Sequence, residues 1–416
     1  MAKRTEISEL GEFGLIDALT RGVVAVNPST VRGVGDDAAV IDCSVAGSGG
    51  AGGWGGGGGA EGASGSGGVG SSEGRYTLLS TDLLLEGVNF DLVYFPLKHL
   101  GYKAVVVGIS DILAMNGHPR QLTFSVGVSA KLSVEDLQQL YDGVRAACVE
   151  YGVDLVGGDT SASVNGLVIS VSVLGEVERE RIVYRGGARL NDLICITGDL
   201  GAAYMGLHLL EREKRALGGG PAPPPTTASQ SRPEAPQSGA EAPQQPGGPA
   251  ARQSNAAASD PRAASPTHSA LQPHFEGYNY LLERQLHPHA RLDVIDSLRE
   301  ADLVPTSMID LSDGLASDLL HICKSSGVGA RIYLDRIPIA KETYSLAEEM
   351  NADPVVAALN GGDDHQLLFT VPLAAQQAVM RMGGIDIIGH ITPATTGVML
   401  TTPDGSDIPI TAPGHK

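Results

Sequence analysis

The sequence predicts an α+β protein of two domains, interrupted by two low-complexity insertions. Three observations carry this expectation. Apolar runs of strand length recur along the chain, and several end in an acid. Longer helical patterns lie between them, without the strict strand–helix–strand repeat of a doubly wound sheet. The 416 residues suffice for two domains plus insertions.

The first domain is expected over 1–178 and the second over 179–416. In the first, RYTLLSTD, QLTFSVGVS and LVISVSVLGEV read as strands, and PLKHLGYKAVVVGISDILAMNG and VEDLQQLYDGVRAACVEYG as helices. In the second, DLICITGD, SMIDLS, ARIYLD and HQLLFTV read as strands, and DGLASDLLHICKSSG and AAQQAVMRMGG as helices. Residues 44–74 are rich in Gly, Ser and Ala and join the strand-like AAVIDC to RYTLLS. They read as a disordered loop in place of a short turn, with Trp54 lacking apolar neighbours. Residues 217–273 are rich in Pro, Ala, Gln, Ser and Gly and separate AAYMGLHLLEREKRA from FEGYNYLLERQL. Neither segment has enough large apolar residues to offset the entropy of ordering.

Lys and Arg number 29 against 48 Asp and Glu, a net charge of −19. That balance argues against nucleic acid or an anionic membrane as partner. No apolar run reaches the ~18 residues of a membrane span. Charges interrupt the N-terminus where a signal peptide would be apolar, so the cytoplasm is expected. Cys43, Cys148, Cys195 and Cys323 are scattered and form no CxxC pair; three of them sit in apolar segments and read as small core residues rather than reactive thiols.

Five acidic motifs, GVGDDAAV, STD, ISD, VGGDTS and IDLSDG, place Asp36, Asp37, Asp82, Asp111, Asp159, Asp310 and Asp313 beside glycines or hydroxyls. Carboxylates that converge repel one another unless protonated, hydrogen-bonded or bridged by cations. Oxygen-rich sites of this kind suit Mg2+, which shares its shell with phosphates. Ser80, Thr81 and Asp82 end an apolar strand, where they offer either metal oxygens or an ordinary helix cap. Asp111 lies in a largely apolar helix, where a buried carboxylate needs a partner. Gly158 lets the backbone approach a phosphate beside Asp159; no Lys follows, so this is not a Walker loop. Asp310 is expected at a strand end, Ser312 near a helix N-cap and Asp313 in the first turn. Arg185, between Tyr184 and two glycines, reads either as a phosphate fork or as a surface Arg. Asp363 and Asp364 either bind substrate or shape a turn, and His365 reads as structural.

With these residues assembled, the chain resembles the thiamine-monophosphate kinases, of the superfamily that includes aminoimidazole ribonucleotide synthetase. The resemblance rests on GEFGLI, GVGDDAAV, STD, EGVNF, LGYKAVVVGISDILAMNG, VGGDTS, IDLSDGLASDLLHI and GGDDHQLLF, in that order. It implies a two-domain synthetase-like fold of mixed sheets flanked by helices. It also implies ATP-dependent phosphorylation of thiamine monophosphate to thiamine diphosphate by a homodimer built on the first domain's sheet. Asp37, Ser80, Thr81, Asp82, Asp111, Asp159, Asp310 and Asp313 are the implied ligands of several Mg2+ ions. Tyr141, Gly158, Asp159, Arg185 and Ser312 are the implied ATP contacts, and Asn89 and Asp363 face the substrate. No general base is implied, because the attacking phosphate oxygen is already ionised at neutral pH. The chain departs from the family at Asn89 (usually His), Gly108 (usually Asn), Asp363 (usually Glu) and His365 (usually Tyr), and in a tail without an aromatic. Those changes motivate an alternative: a nucleotide-binding relative with another substrate or no kinase activity.

Overall fold

A computed structural model describes residues 14–16, 18–44, 74–216 and 275–412. Apart from their edges at Ser44 and Gly74, both low-complexity segments, with Trp54, lie outside these residues. Nearly all described residues fall in one compact unit; the other, Arg212–His274, is described only at the end of one helix.

The first sheet contains β1 (Thr30–Arg32), β2 (Ala39–Ile41), β3 (Arg75–Leu85), β4 (His118–Ser129), β5 (Asp154–Gly157), β6 (Thr160–Ser163) and β7 (Val168–Glu178). Their order is β1-β2-β3-β7-β4-β5, with β6 also on β4. β3 pairs antiparallel with β7 in unbroken register, from Arg75 opposite Glu178 to Leu85 opposite Val168. Strand alternation divides the residues between two faces. Leu78, Ser80, Ile169, Val171 and Val173 are buried, whereas Leu83 is 58% exposed on the other face.

Two helices cover the buried face: α1 (Leu97–Ala114) lies on β3 and β7, and α2 (Val134–Tyr151) packs on α1. α1 is apolar nearly all round, as a core helix should be. The helices approach closely through glycines. A Cβ on Gly101 would sit 1.9 Å from the Leu140 carbonyl oxygen, and one on Gly143 1.8 Å from that of Lys98. α2 starts at a capping box formed by Ser133 and Asp136 and stops at Gly152, whose φ of 64° suits glycine.

The second sheet comprises β8 (Leu193–Thr197), β9 (Ser307–Asp310), β10 (Gly329–Tyr333), β11 (Leu367–Val371), β12 (Ile385–Thr392), β13 (Val398–Thr401) and β14 (Asp407–Pro409). Its order is β14-β13-β10-β12-β8-β11-β9. Around it lie α3 (Ala202–Ala216), α4 (Asn279–Leu286), α5 (Leu292–Glu300), α6 (Leu315–Ser326), α7 (Lys341–Glu349), α8 (Pro354–Asn360) and α9 (Gln376–Arg381). Every residue of β9 and β11 is buried, so these strands read as apolar runs rather than alternations. α3 and α4, which flank the second insertion, pack together: a Cβ on Gly206 would meet the Leu281 carbonyl oxygen at 2.2 Å. α1 also meets β9, so one helix touches both sheets. This is the expected α+β arrangement. No described helix is long and apolar enough to cross a membrane.

The helical pattern in FEGYNYLLERQL contracts to the eight residues of α4. The expected helix start at IDLSDG also moves. Gly314, with φ 104°, is the N-cap of α6. Ser312 and Asp313 therefore sit in the preceding loop rather than at the cap and first turn, and the first-turn acid is Asp318.

Candidate active site

The turn before β2, the strand β3, the helix α1 and the end of β9 bring acids together. Ligand oxygens of Asp37, Asp111 and Asp310 lie within 4.8 Å of one another. Asp82 joins them from β3. Alternation puts Ser80 and Asp82 on the face under α1. The Ser80 hydroxyl donates to the Gly108 carbonyl at 3.1 Å. Gly108 lacks the side chain that would crowd this contact: its Cβ would lie 2.8 Å from Val173 Cγ2 and 3.2 Å from Asp82 Oδ2.

Two hydroxyl and cationic groups orient the cluster. Ser110, on α1, donates to Asp310 Oδ2 at 2.8 Å. Arg185 donates to Asp37 Oδ1 through Nε at 3.1 Å and through its terminal nitrogen at 2.6 Å. Its backbone N–H donates to Asp36 Oδ1 at 2.8 Å, and Asp36 is paired with Arg32 at 2.7 Å.

The electrostatics of the bare cluster are unfavourable. Burial, with repulsion from Asp310 and Asp36, pushes Asp37 up to about 7 despite Arg185. Burial and the charge of Asp310 push Asp82 up to about 6, against the pull of His365. Burial raises Asp111 well above the carboxylate range, and Asp82, Asp310 and Asp37 add to the shift. Asp37 Oδ2 and Asp82 Oδ2 are buried without a hydrogen-bond partner. Converging, under-satisfied carboxylate oxygens are the donor set of a hard divalent cation, so these residues fit Mg2+.

The loop from Gly361 to His365 closes over the cluster. His365 Nδ1 lies 3.7 Å from Asp310 Oδ2, and its Nε2 lies 3.2 Å from Asp363 Oδ1. The Asp363 N–H donates to the Ser312 carbonyl at 2.8 Å. A Cβ on Gly362 would clash with that same carbonyl at 2.5 Å. Asp364 is turned away from the cluster and accepts the Gly201 N–H at 2.9 Å. Asp313 donates its N–H to Asp318 Oδ2 at 3.3 Å.

Other expected site residues lie elsewhere. The Thr81 hydroxyl projects to the opposite face of the sheet, 3.0 Å from Ser172 Oγ. Asp159 is exposed, and its Oδ1 accepts the Thr160 N–H at 2.8 Å. It follows Gly158, where a Cβ would meet the Phe124 carbonyl at 2.0 Å. Tyr141 packs edge-on against the same Phe124, with ring centroids 5.5 Å apart. Tyr141 and Gly158 thus meet at Phe124 of β4, and Asp159 bonds to the next residues of that strand, its N–H donating to Ser125 Oγ at 3.1 Å and its carbonyl accepting the Val126 N–H at 2.8 Å. Asn89 is exposed after β3, and its Oδ1 accepts the Leu85 N–H at 3.0 Å.

Sequence reasoning passed over Lys103, Ser110 and Asp318, all buried. Each is a polar residue on a helical face otherwise made of apolar side chains, and that pattern was the available signal. Cys195 and Cys323 are buried, Cys148 is half-buried and Cys43 is exposed.

The model for the AIR synthase related protein N-terminal domain matches residues 35–177, and that for its C-terminal domain matches 270–399. The chain is 29% identical over 368 residues to a thiamine-monophosphate kinase of Aquifex aeolicus, covering 88% of this chain and 87% of that protein. It is 25% identical over 414 residues to the thiamine-monophosphate kinase of Bacillus subtilis, covering 98% and 99%. The solved structure of AaThiL complexed with AMPPCP and TMP matches with a TM-score of 0.67 at 27% identity, over 98% of this chain and 97% of that one.

Proposed function

The chain belongs to the AIR synthase related family, and on that premise we propose that it transfers the γ-phosphoryl group of ATP to thiamine monophosphate. The products are thiamine diphosphate and ADP. The carrying observation is the convergence of Asp37, Asp111 and Asp310 within 4.8 Å, with Asp82 beside them. Such a cluster is costly without a cation and suited to phosphoryl transfer with one.

Asp37, Asp82, Asp111 and Asp310 would hold Mg2+, with Ser80, Asp159 and Asp313 supplying oxygens toward further ions; the Thr81 hydroxyl, engaged with Ser172 on the other face of the sheet, is not placed to join them. When bound, Mg2+ neutralises charge on the phosphates of both substrates. The protein's own contribution is placement. Ser110 and His365 hold Asp310 from two sides, and Arg185 holds Asp37. Tyr141, Gly158, Asp159, Arg185 and Ser312 are the proposed ATP contacts, and Asn89 and Asp363 the proposed contacts to thiamine monophosphate. The acceptor phosphate is already ionised, so the reaction needs alignment rather than a strong base. Transfer is then direct and in line, without a phosphoenzyme.

The exposed face of the first sheet, with Leu79 and Leu83 uncovered, supports a homodimer formed through that sheet. The test of function is chromatography after incubation with Mg2+, ATP and either thiamine or thiamine monophosphate. Thiamine diphosphate and ADP should form only with the monophosphate and only when all components are present. No thiamine diphosphate despite Mg–ATP binding would favour a relative with another substrate.

A further inference from the structure

α1 reaches the substrate side of the site through a residue that the function above does not use. Lys103 is 3% exposed. Its Nζ donates to Asp363 Oδ2 at 2.5 Å and to the Gln285 carbonyl at 3.1 Å, and lies 5.7 Å from the Phe95 ring centroid. A buried ammonium is costly, and here a carboxylate, a carbonyl and an aromatic face offset the cost. Seven residues along the same helix, Ser110 holds Asp310. Seven residues are two helical turns, ~10 Å along one face. One rigid element therefore grips the acid cluster at one end and the Gly361–His365 loop at the other.

That loop needs holding. Asp363 and His365 have φ of 64° and 49°, a region that non-glycine residues enter only under constraint. His365 takes one oxygen of Asp363 and Lys103 takes the other, while 38% of the Asp363 side chain stays exposed. A buried Lys103 cannot touch the substrate, but it determines where Asp363 presents that exposed edge.

Resting on the kinase reading above, we propose that Lys103 is a positioning residue for the acceptor: it acts through Asp363 to set thiamine monophosphate against the acid cluster that includes Asp111 of α1. The test is a double-mutant cycle of Lys103→Met and Asp363→Asn in the full-length protein. KM for both substrates, kcat and thermal stability are measured for each variant. Lys103→Met should raise KM for thiamine monophosphate about tenfold and leave KM for ATP within twofold. In the Asp363→Asn background the same change should shift neither KM further. That double variant also leaves no lone buried charge, and Lys103→Gln, which keeps a donor, stands in if Lys103→Met does not fold.

Equal effects on both substrates, or additive effects in the two backgrounds, would overturn the proposal and reduce Lys103 to a structural ion pair. A wild-type protein that makes no thiamine diphosphate would overturn the kinase reading and this inference together. The two failures are thus distinguishable by wild-type activity.

Discussion

The hydroxyl of Ser110 donates to Asp310 at 2.8 Å, joining the helix that covers the first sheet to the end of a strand in the second. Both residues are buried, so the contact fixes one carboxylate of the cluster against another element that carries Asp111. Ser110→Ala should cost about 1 kcal/mol of stability, the usual net value of one hydrogen bond. It should also raise the Mg2+ concentration needed for half-maximal activity several-fold. Chemical denaturation and a Mg2+ titration of turnover check the two effects separately.

The raised carboxyls make metal-free stability depend on pH in a defined direction. The folded-state pKa of Asp82 is near 6, above its ordinary 3.8. Below pH 4 this group is protonated in both states and carries no penalty. As pH rises through 6 the folded protein must ionise it against its neighbours, and stability is lost. Asp82→Asn should therefore stabilise the metal-free protein, by on the order of 2 kcal/mol at pH 8 and negligibly at pH 4. Excess Mg2+ should reverse the order at pH 8. Melting curves with chelator and with Mg2+ provide the comparison.

Gly108 stands where the family usually has Asn, and in this packing there is no room for that side chain. A Cβ there would lie 2.8 Å from Val173 Cγ2. Gly108→Asn should destabilise the protein by about 1–3 kcal/mol through overpacking. Adding Val173→Ala should recover part of that loss, which denaturant unfolding of the single and double variants would reveal.

Gly158 marks the proposed nucleotide side. Its Cβ would sit 2.0 Å from the Phe124 carbonyl, so Gly158→Ala must displace the backbone next to Asp159. The expected result is a rise of tenfold or more in KM for ATP, with a smaller change for thiamine monophosphate. Steady-state kinetics with each substrate varied in turn decides it.

Much of this site was legible because its acids mark the ends of apolar runs. Asp310 closes SMI, so its strand-end placement followed from pattern alone. Asp82 was expected at a strand end too, but the apolar LLL that follows carries β3 on to Leu85, so Asp82 lies inside the strand. Strand alternation also shows why Thr81 parts from its neighbours: Ser80 and Asp82 share a face, and Thr81 takes the other. The meeting of Asp37, Asp82, Asp111 and Asp310 was not legible from spacing, because it depends on two sheets being bridged by α1. The acidic motifs pointed to a magnesium site built from separate loops, but the assignment of its ligands came from resemblance. Lys103 was missed because a single charge in an apolar helix reads as a solvated side chain until its partners, Asp363 and Gln285, are known. The loop before α6 was misjudged at Ser312 and Asp313 because Gly314 adopts a positive φ, which delays the helix. Gly, unlike other residues, gives no sequence sign of which φ it takes.

Turnover of thiamine monophosphate by wild type and by Asp111→Asn, across Mg2+ concentrations, tests the central claim most directly. The account predicts Mg2+-dependent formation of thiamine diphosphate by the wild type. It predicts at least a thousandfold loss of activity in Asp111→Asn, with a melting temperature equal to or above that of the metal-free wild type. Activity in the variant within tenfold of the wild type would contradict the assignment of the buried acids as the metal-binding centre of this kinase.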